Sequence, residues 1–113
     1  MQVHFESHSP EALALRGVTV HRVRFVMRRL VWLVPRAHVR LTDVNGPRGG
    51  VDKRCRVELR APGSGTVVVT SMARDWRVAL EAALARASRA LLRTWQRTRG
   101  RARPTPVTAA PRR

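Results

Sequence analysis

The chain has 113 residues, which suits one domain with a modest core and is too short for two independently stable domains. Twenty-three Lys and Arg stand against seven Asp and Glu, so the formal net charge is +16, and all but one of the cations is Arg. The single cysteine, Cys55, excludes an internal disulfide framework and a cysteine-based zinc site, and the charge predicts a polyanionic partner, usually nucleic acid.

The first predicted element is a short strand. "QVHFE" places Val3 and Phe5 on one face and polar residues on the other, which is the period of a half-buried strand. A helix is then expected to begin with Ser9 as N-cap, Pro10 at its first position and Glu11 in its first turn.

This first helix is predicted to continue until Pro35 ends it. Gly17 and the β-branched residues after it lower the local helix propensity and predict a frayed or kinked first half. Phe25 and Trp32 lie away from the main apolar stripe and suit either a second packing surface or base stacking. The stripe, with spacings of three, four or seven, comprises Leu13, Val20, Val23, Met27, Leu30, Val31 and Val34.

Three further strands are predicted over residues 36–44, 53–61 and 66–73, and they form an antiparallel meander. Cys55 falls on the apolar face of the middle run and is expected to be a buried structural thiol. The opposite face carries outward-pointing cations, namely Arg40, Arg54, Arg56 and Arg60.

A second helix is predicted to begin after Asp75, its N-cap, and to end near Arg99 or Gly100. Its apolar stripe comprises Trp76, Leu80, Ala83, Leu84, Ala87 and Leu91, and its basic row comprises Arg86, Arg89, Arg93 and Arg97. Residues 99–113 are Pro-rich, small and basic, which predicts a disordered tail.

The predicted order is therefore β-α-β-β-β-α. It indicates an α+β two-layer sandwich, in which two helices cover one face of a four-stranded sheet and the first two strands are parallel. We expect residues 1–98 to form the domain.

The Gly-rich stretch "DVNGPRGGVDKRC", residues 43–55, lacks the spacing of a Walker phosphate loop and the acids of a calcium loop. It is predicted to be a β-hairpin loop with Arg48 at its tip. No catalytic constellation stands out elsewhere, so we expect no enzymatic activity, cofactor, metal or small-molecule substrate. The N-terminus has no signal-peptide pattern, and no apolar run reaches the roughly 20 residues of a membrane span, so a cytoplasmic protein without membrane contact is expected.

The last third of the chain resembles the ribosome hibernation-promoting factors, also called ribosome-associated inhibitors. "SMARDWRVALEAALARASRALLR" is similar to that family's fourth strand running into an Asp-capped helix with spaced basic residues. The "EALALR" start of the first helix matches more loosely. The resemblance covers residues 1–98 and is to the short form of the family, from which this chain departs in its higher arginine content and its basic tail.

The resemblance implies a β-α-β-β-β-α domain similar in topology to double-stranded RNA-binding domains. Such a bacterial stress-response factor would bind the small ribosomal subunit and its rRNA in the mRNA and tRNA channel, silencing idle ribosomes by occupancy. The carried-over contacts are Arg86, Arg89 and Arg93; by charge and position we add Arg22, Arg28, Arg29, Arg48, Lys53 and Arg54.

Two alternatives stay open from the residues. One is a general binder of double-stranded RNA or other nucleic acid, for which the charge alone is sufficient. The other is a structural or dimerisation domain with an incidental basic surface, using Phe25 and Trp32 as its contact. The oligomeric state is left open.

Overall fold

The computed structural model describes residues 1–44, 52–63 and 65–102, the last five of them by backbone alone. Within these ranges the chain forms a four-stranded mixed sheet with helices on one face, which confirms the α+β class. The strands are β1 (Gln2–Ser7), β2 (Arg36–Asp43), β3 (Lys53–Ala61) and β4 (Gly65–Ala73), and the helices are α1 (Pro10–Leu13), α2 (Arg16–Val26) and α3 (Trp76–Ala102).

The strands lie in the order β1-β2-β3-β4. β1 is parallel to β2, and the remaining pairs are antiparallel, as the crossover and meander predicted. The turn between β3 and β4 uses Gly63 and Gly65 at φ of 85° and 94°, a backbone conformation that side chains disfavour. The predicted hairpin loop between β2 and β3 lies outside the described residues.

The core lies between the sheet and the helices. Alternate residues of β2, β3 and β4 are buried, so one face of the sheet is apolar and the other faces solvent. Burial raises the pKa of the Cys55 thiol to about 12, which makes it an inert core residue. The main buried side chains are Val23, Met27, Val39, Leu41, Val57, Leu59, Leu80, Leu84 and Leu91.

The first predicted helix is wrong in its extent. The helical segment is interrupted at Ala14 and Leu15, and α2 ends at Val26, well before Pro35. The expected kink is therefore present, but it lies ahead of Gly17. Two members of the predicted stripe, Leu13 and Val31, are exposed.

The error has a physical cause in the hydrogen bonding after Val26. The amide of Leu30 donates to the carbonyl of Met27, and the amide of Leu33 donates to that of Leu30, so successive bonds span three residues. Such tight turns place every third side chain on one side, and these three residues point toward the core. Apolar residues three apart are compatible with these turns and also with an α-helix, which is why a continuous helix was predicted here.

The second predicted helix is α3, with Asp75 as its N-cap. The Asp75 carboxylate accepts hydrogen bonds from the amides of Arg77 at 2.7 Å and Val78 at 3.3 Å. The helix continues to Ala102, two or three residues beyond the predicted end. Ser9 occupies the N-cap position of α1, but its side chain makes no capping bond. Residues 103–113 of the predicted tail lie outside the described part.

Replacing Asp75 tests the cap. We expect Asp75→Ala to lower the free energy of unfolding by about 1 kcal/mol, because two amides of the first turn lose their acceptor. Asp75→Asn retains a capping oxygen and should lose much less. Urea denaturation followed by circular dichroism measures both, and equal losses in the two variants would contradict the capping role.

Candidate nucleic-acid interface

The arginine row of α3 faces solvent because the opposite side of the helix is buried. Leu84, Ala87 and Leu91 are fully buried, whereas Arg86, Arg89 and Arg93 are exposed. Spacings of three and four keep these three arginines on one side of the helix. Arg86 also donates to the carbonyl of Thr70 at 2.9 Å, which holds its guanidinium beside β4.

The turns that follow α2 bring two further predicted residues to this row. Arg28 and Arg29 lie across from Arg89, and together they line a groove with a volume of about 490 Å³. We call this feature the arginine groove; its remaining lining residues are Val26, Leu30, Ser88 and Leu92. None of the described residues that line it is acidic, so three guanidinium groups share one concave surface without a neighbouring carboxylate there.

Arg22 has a different position from its predicted partners. Its guanidinium makes two hydrogen bonds to the Glu81 carboxylate, at 2.6 and 2.8 Å, and so joins α2 to α3. This bidentate contact raises the pKa of Arg22 and lowers the pKa of Glu81. Arg22 therefore links α2 to α3, while the arginine groove is lined by residues of α3, the end of α2 and the turns that follow α2.

Lys53 is likewise engaged within the domain. Its ammonium lies 3.0 Å from the Asp43 carboxylate, 3.4 Å from that of Asp52 and 5.4 Å from the centre of the Trp76 ring. These contacts join the ends of β2 and β3, and the two carboxylates raise the pKa of Lys53. We therefore assign Lys53 to the closure of the hairpin. Arg48 lies outside the described residues.

The open face of the sheet carries both positively and negatively charged side chains. Arg54 is exposed there, as predicted, together with Arg36, Arg40, Arg56 and Arg60. Its two acids sit among these cations: Glu6 contacts His38 and Arg40, while Glu58 contacts Arg56 and Arg60, at 3.1 to 3.8 Å. This face is therefore partly neutralised, in contrast to the arginine groove.

Two residues of the interface were missed by the sequence reasoning. Leu92 lines the arginine groove, and Trp95 meets Trp32 edge to face, with ring centroids 5.6 Å apart. Leu92 lies outside the apolar stripe of α3, and an apolar residue on the basic side of a helix was the available signal. Trp95 lies four residues after Leu91 and continues the stripe, so helical periodicity could have identified it.

Other kinds of site find little support in the described part of the chain. No three His, Cys, Asp or Glu side chains there lie close enough to hold a metal ion. No helix within the described ranges is both long and apolar enough to cross a membrane.

Solved structures with this arrangement of strands and helices include a ribosomal subunit interface protein from Coxiella burnetii, with a TM-score of 0.63 and 16% identity over 82% of this chain and 96% of that one. The N-terminal domain of Protein Y from Thermus thermophilus has a TM-score of 0.59 and 21% identity over 82% and 98%. The chain shares their fold. Both are hibernation-promoting factors, so the predicted resemblance is confirmed in the fold. No protein-family model matches the sequence, and no curated protein matches it significantly.

The Arg22–Glu81 contact predicts that the stability of the domain depends on pH. The pKa of Glu81 is lowered in the folded state, so its contribution to stability is present above the unfolded pKa, about 4.3, and is lost as the pH falls through the folded value. Glu81→Gln should therefore be less stable than the native chain at pH 7, and this difference should close in acid.

Urea denaturation at a series of pH values measures the difference. Glu11→Gln removes the same charge from the exposed first turn of α1 and serves as the control. A stability gap for Glu81→Gln that stays constant down to pH 2 would refute an ionic contribution.

Proposed function

We propose that the protein is a ribosome-associated translation inhibitor that binds rRNA of the small subunit in the mRNA and tRNA channel. The observation that carries this proposal is the acid-free arginine groove on a domain with the fold of a ribosomal subunit interface protein. The ribosome as partner implies a cytoplasmic site of action in a bacterial cell.

The proposed mechanism is occupancy, which silences or protects idle ribosomes. Exposed guanidinium groups of Arg28, Arg29, Arg89 and Arg93 would contact phosphate oxygens, to which their planar donor arrangement is matched. Each phosphate contact releases condensed counterions, so affinity is high at low salt and falls as salt rises. No bond is made or broken in this mechanism.

The contacts of the individual cations support a division of roles among them. Arg22 and Lys53 form ion pairs with carboxylates and stabilise the domain. Arg86 donates to a carbonyl of β4, and its guanidinium lies at the surface. We therefore propose a direct role in rRNA binding for the α3 row and for Arg28 and Arg29. A contribution from Arg54 requires that rRNA also reach the open sheet face.

Reversing charge on α3 tests this function. In a sucrose gradient of bacterial lysate, the tagged native protein should sediment with small subunits, and the triple variant Arg86→Glu, Arg89→Glu, Arg93→Glu should remain at the top. The matched control reverses Arg36, Arg56 and Arg60 on the sheet face and makes the same change in net charge. We expect it to retain most of the co-sedimentation.

The same gradients distinguish the alternatives. A native protein that stays at the top of the gradient at low and moderate salt, yet binds free duplex RNA tightly, would be a general nucleic-acid binder. Equal losses in the two triple variants would show that net charge, and no defined surface, drives association.

A further inference from the structure

Three aromatic side chains lie beside the arginine groove and contribute little to the core. Trp32 is 65% exposed and Phe25 is 47% exposed, and Trp95 contacts Trp32. We call these residues the aromatic patch. A contiguous exposed apolar patch is a candidate interaction site, because contact with a partner would remove its surface from water.

The Trp32 indole is held in a defined orientation. Its Nε1–H donates to the carbonyl of Arg29 at 3.0 Å, and it meets the Trp95 ring at an interplanar angle of 86°. A ring that is fixed before binding loses little conformational freedom when a partner stacks on it. Most of the indole surface remains open to solvent.

The groove and the patch are connected through their arginines. Arg28 lines the groove, and its guanidinium also lies 4.3 Å from the centre of the Phe25 ring. Arg29 lines the groove and holds the Trp32 indole through its carbonyl. Arg28 and Arg29 therefore link the groove to Phe25 and Trp32, and the apolar side chains of Leu30 and Leu92 also line the groove.

A basic groove beside exposed aromatic rings favours one kind of ligand. Single-stranded nucleic acid presents phosphates and unstacked bases together, and its recognition combines a basic groove with aromatic stacking platforms. Duplex bases have both faces covered by their neighbours and offer no ring to Trp32. A second copy of this chain would bring the same cluster of arginines against the groove, which disfavours self-association.

We infer that the arginine groove and the aromatic patch bind an unpaired segment of RNA, with one base stacked on Trp32 and its neighbouring phosphates held by Arg28, Arg29 and Arg89. This inference rests on the proposed function, since it specifies the kind of rRNA segment that the domain contacts. Stacking of a base on Trp32 adds to the binding free energy a contribution that the arginines alone do not supply.

Binding of a short fluorescein-labelled single-stranded RNA of mixed sequence, compared with its duplex, tests the inference by fluorescence anisotropy. Trp32→Ala should weaken single-strand binding by roughly 5- to 150-fold, the range expected for loss of one stacked base. Duplex binding should change less than about twofold. Trp32→Phe retains an aromatic face and should recover much of the affinity.

Val78→Ala is the matched control, because Val78 is 59% exposed and lies in the first turn of α3, on the same helix as the groove. It should bind both RNAs like the native protein. Circular dichroism checks that each variant is folded, and the exposure of Trp32 makes a folding defect unexpected.

Unchanged single-strand binding by folded Trp32→Ala would overturn the inference. A native dimer that this substitution converts to monomers, with RNA binding unaffected, would also overturn it and identify the patch as a self-association surface. Failure of the proposed function gives a different result. If the native protein does not sediment with small subunits but Trp32→Ala still loses affinity for single-stranded RNA, the base-binding site is supported and the ribosome is not its partner.

Discussion

The packing of α3 on the inner face of the sheet is the constraint on which the interface depends. Burial of Leu84 and Leu91 against the sheet sets the rotation of the helix about its axis. A change of one residue in this packing would turn the helix by about 100° and move the arginine row away from the groove. The same apolar contacts that stabilise the domain therefore determine which way the arginine row of α3 faces.

The distribution of the seven acids explains where the positive charge remains unbalanced. Five of the seven lie within ion-pair distance of Lys, Arg or His, namely Glu6, Asp43, Asp52, Glu58 and Glu81. Asp75 caps α3, and Glu11 is exposed in the first turn of α1. These contacts stabilise the hairpin, the sheet face and the junction of α2 with α3. None of these contacts involves a residue that lines the arginine groove, so Arg28, Arg29 and Arg89 have no acidic side chain beside them among the described lining residues.

The part of the fold that could be predicted rests on strictly periodic residues. Alternation in β2, β3 and β4 and the capped, amphipathic pattern of α3 led to nearly correct boundaries, because each pattern matches one backbone geometry. The segment from Met27 to Val34 misled the prediction, since apolar residues at a spacing of three satisfy both an α-helix and a series of tight turns. Local periodicity cannot separate these two geometries; the contacts of Met27 and Leu30 with the core do.

The sequence by itself determined the net charge, the α+β order of elements and the presence of an arginine row on the last helix. Only the tertiary structure decided how these cations are used: Arg22 and Lys53 are drawn into ion pairs with distant or buried carboxylates, and Arg28, Arg29 and Arg89 are gathered around one groove. It also placed Trp32 against Trp95, which are far apart in the chain. The physical reason is that periodicity reports which face of an element is buried, whereas the partner of an exposed side chain depends on how separate elements pack together.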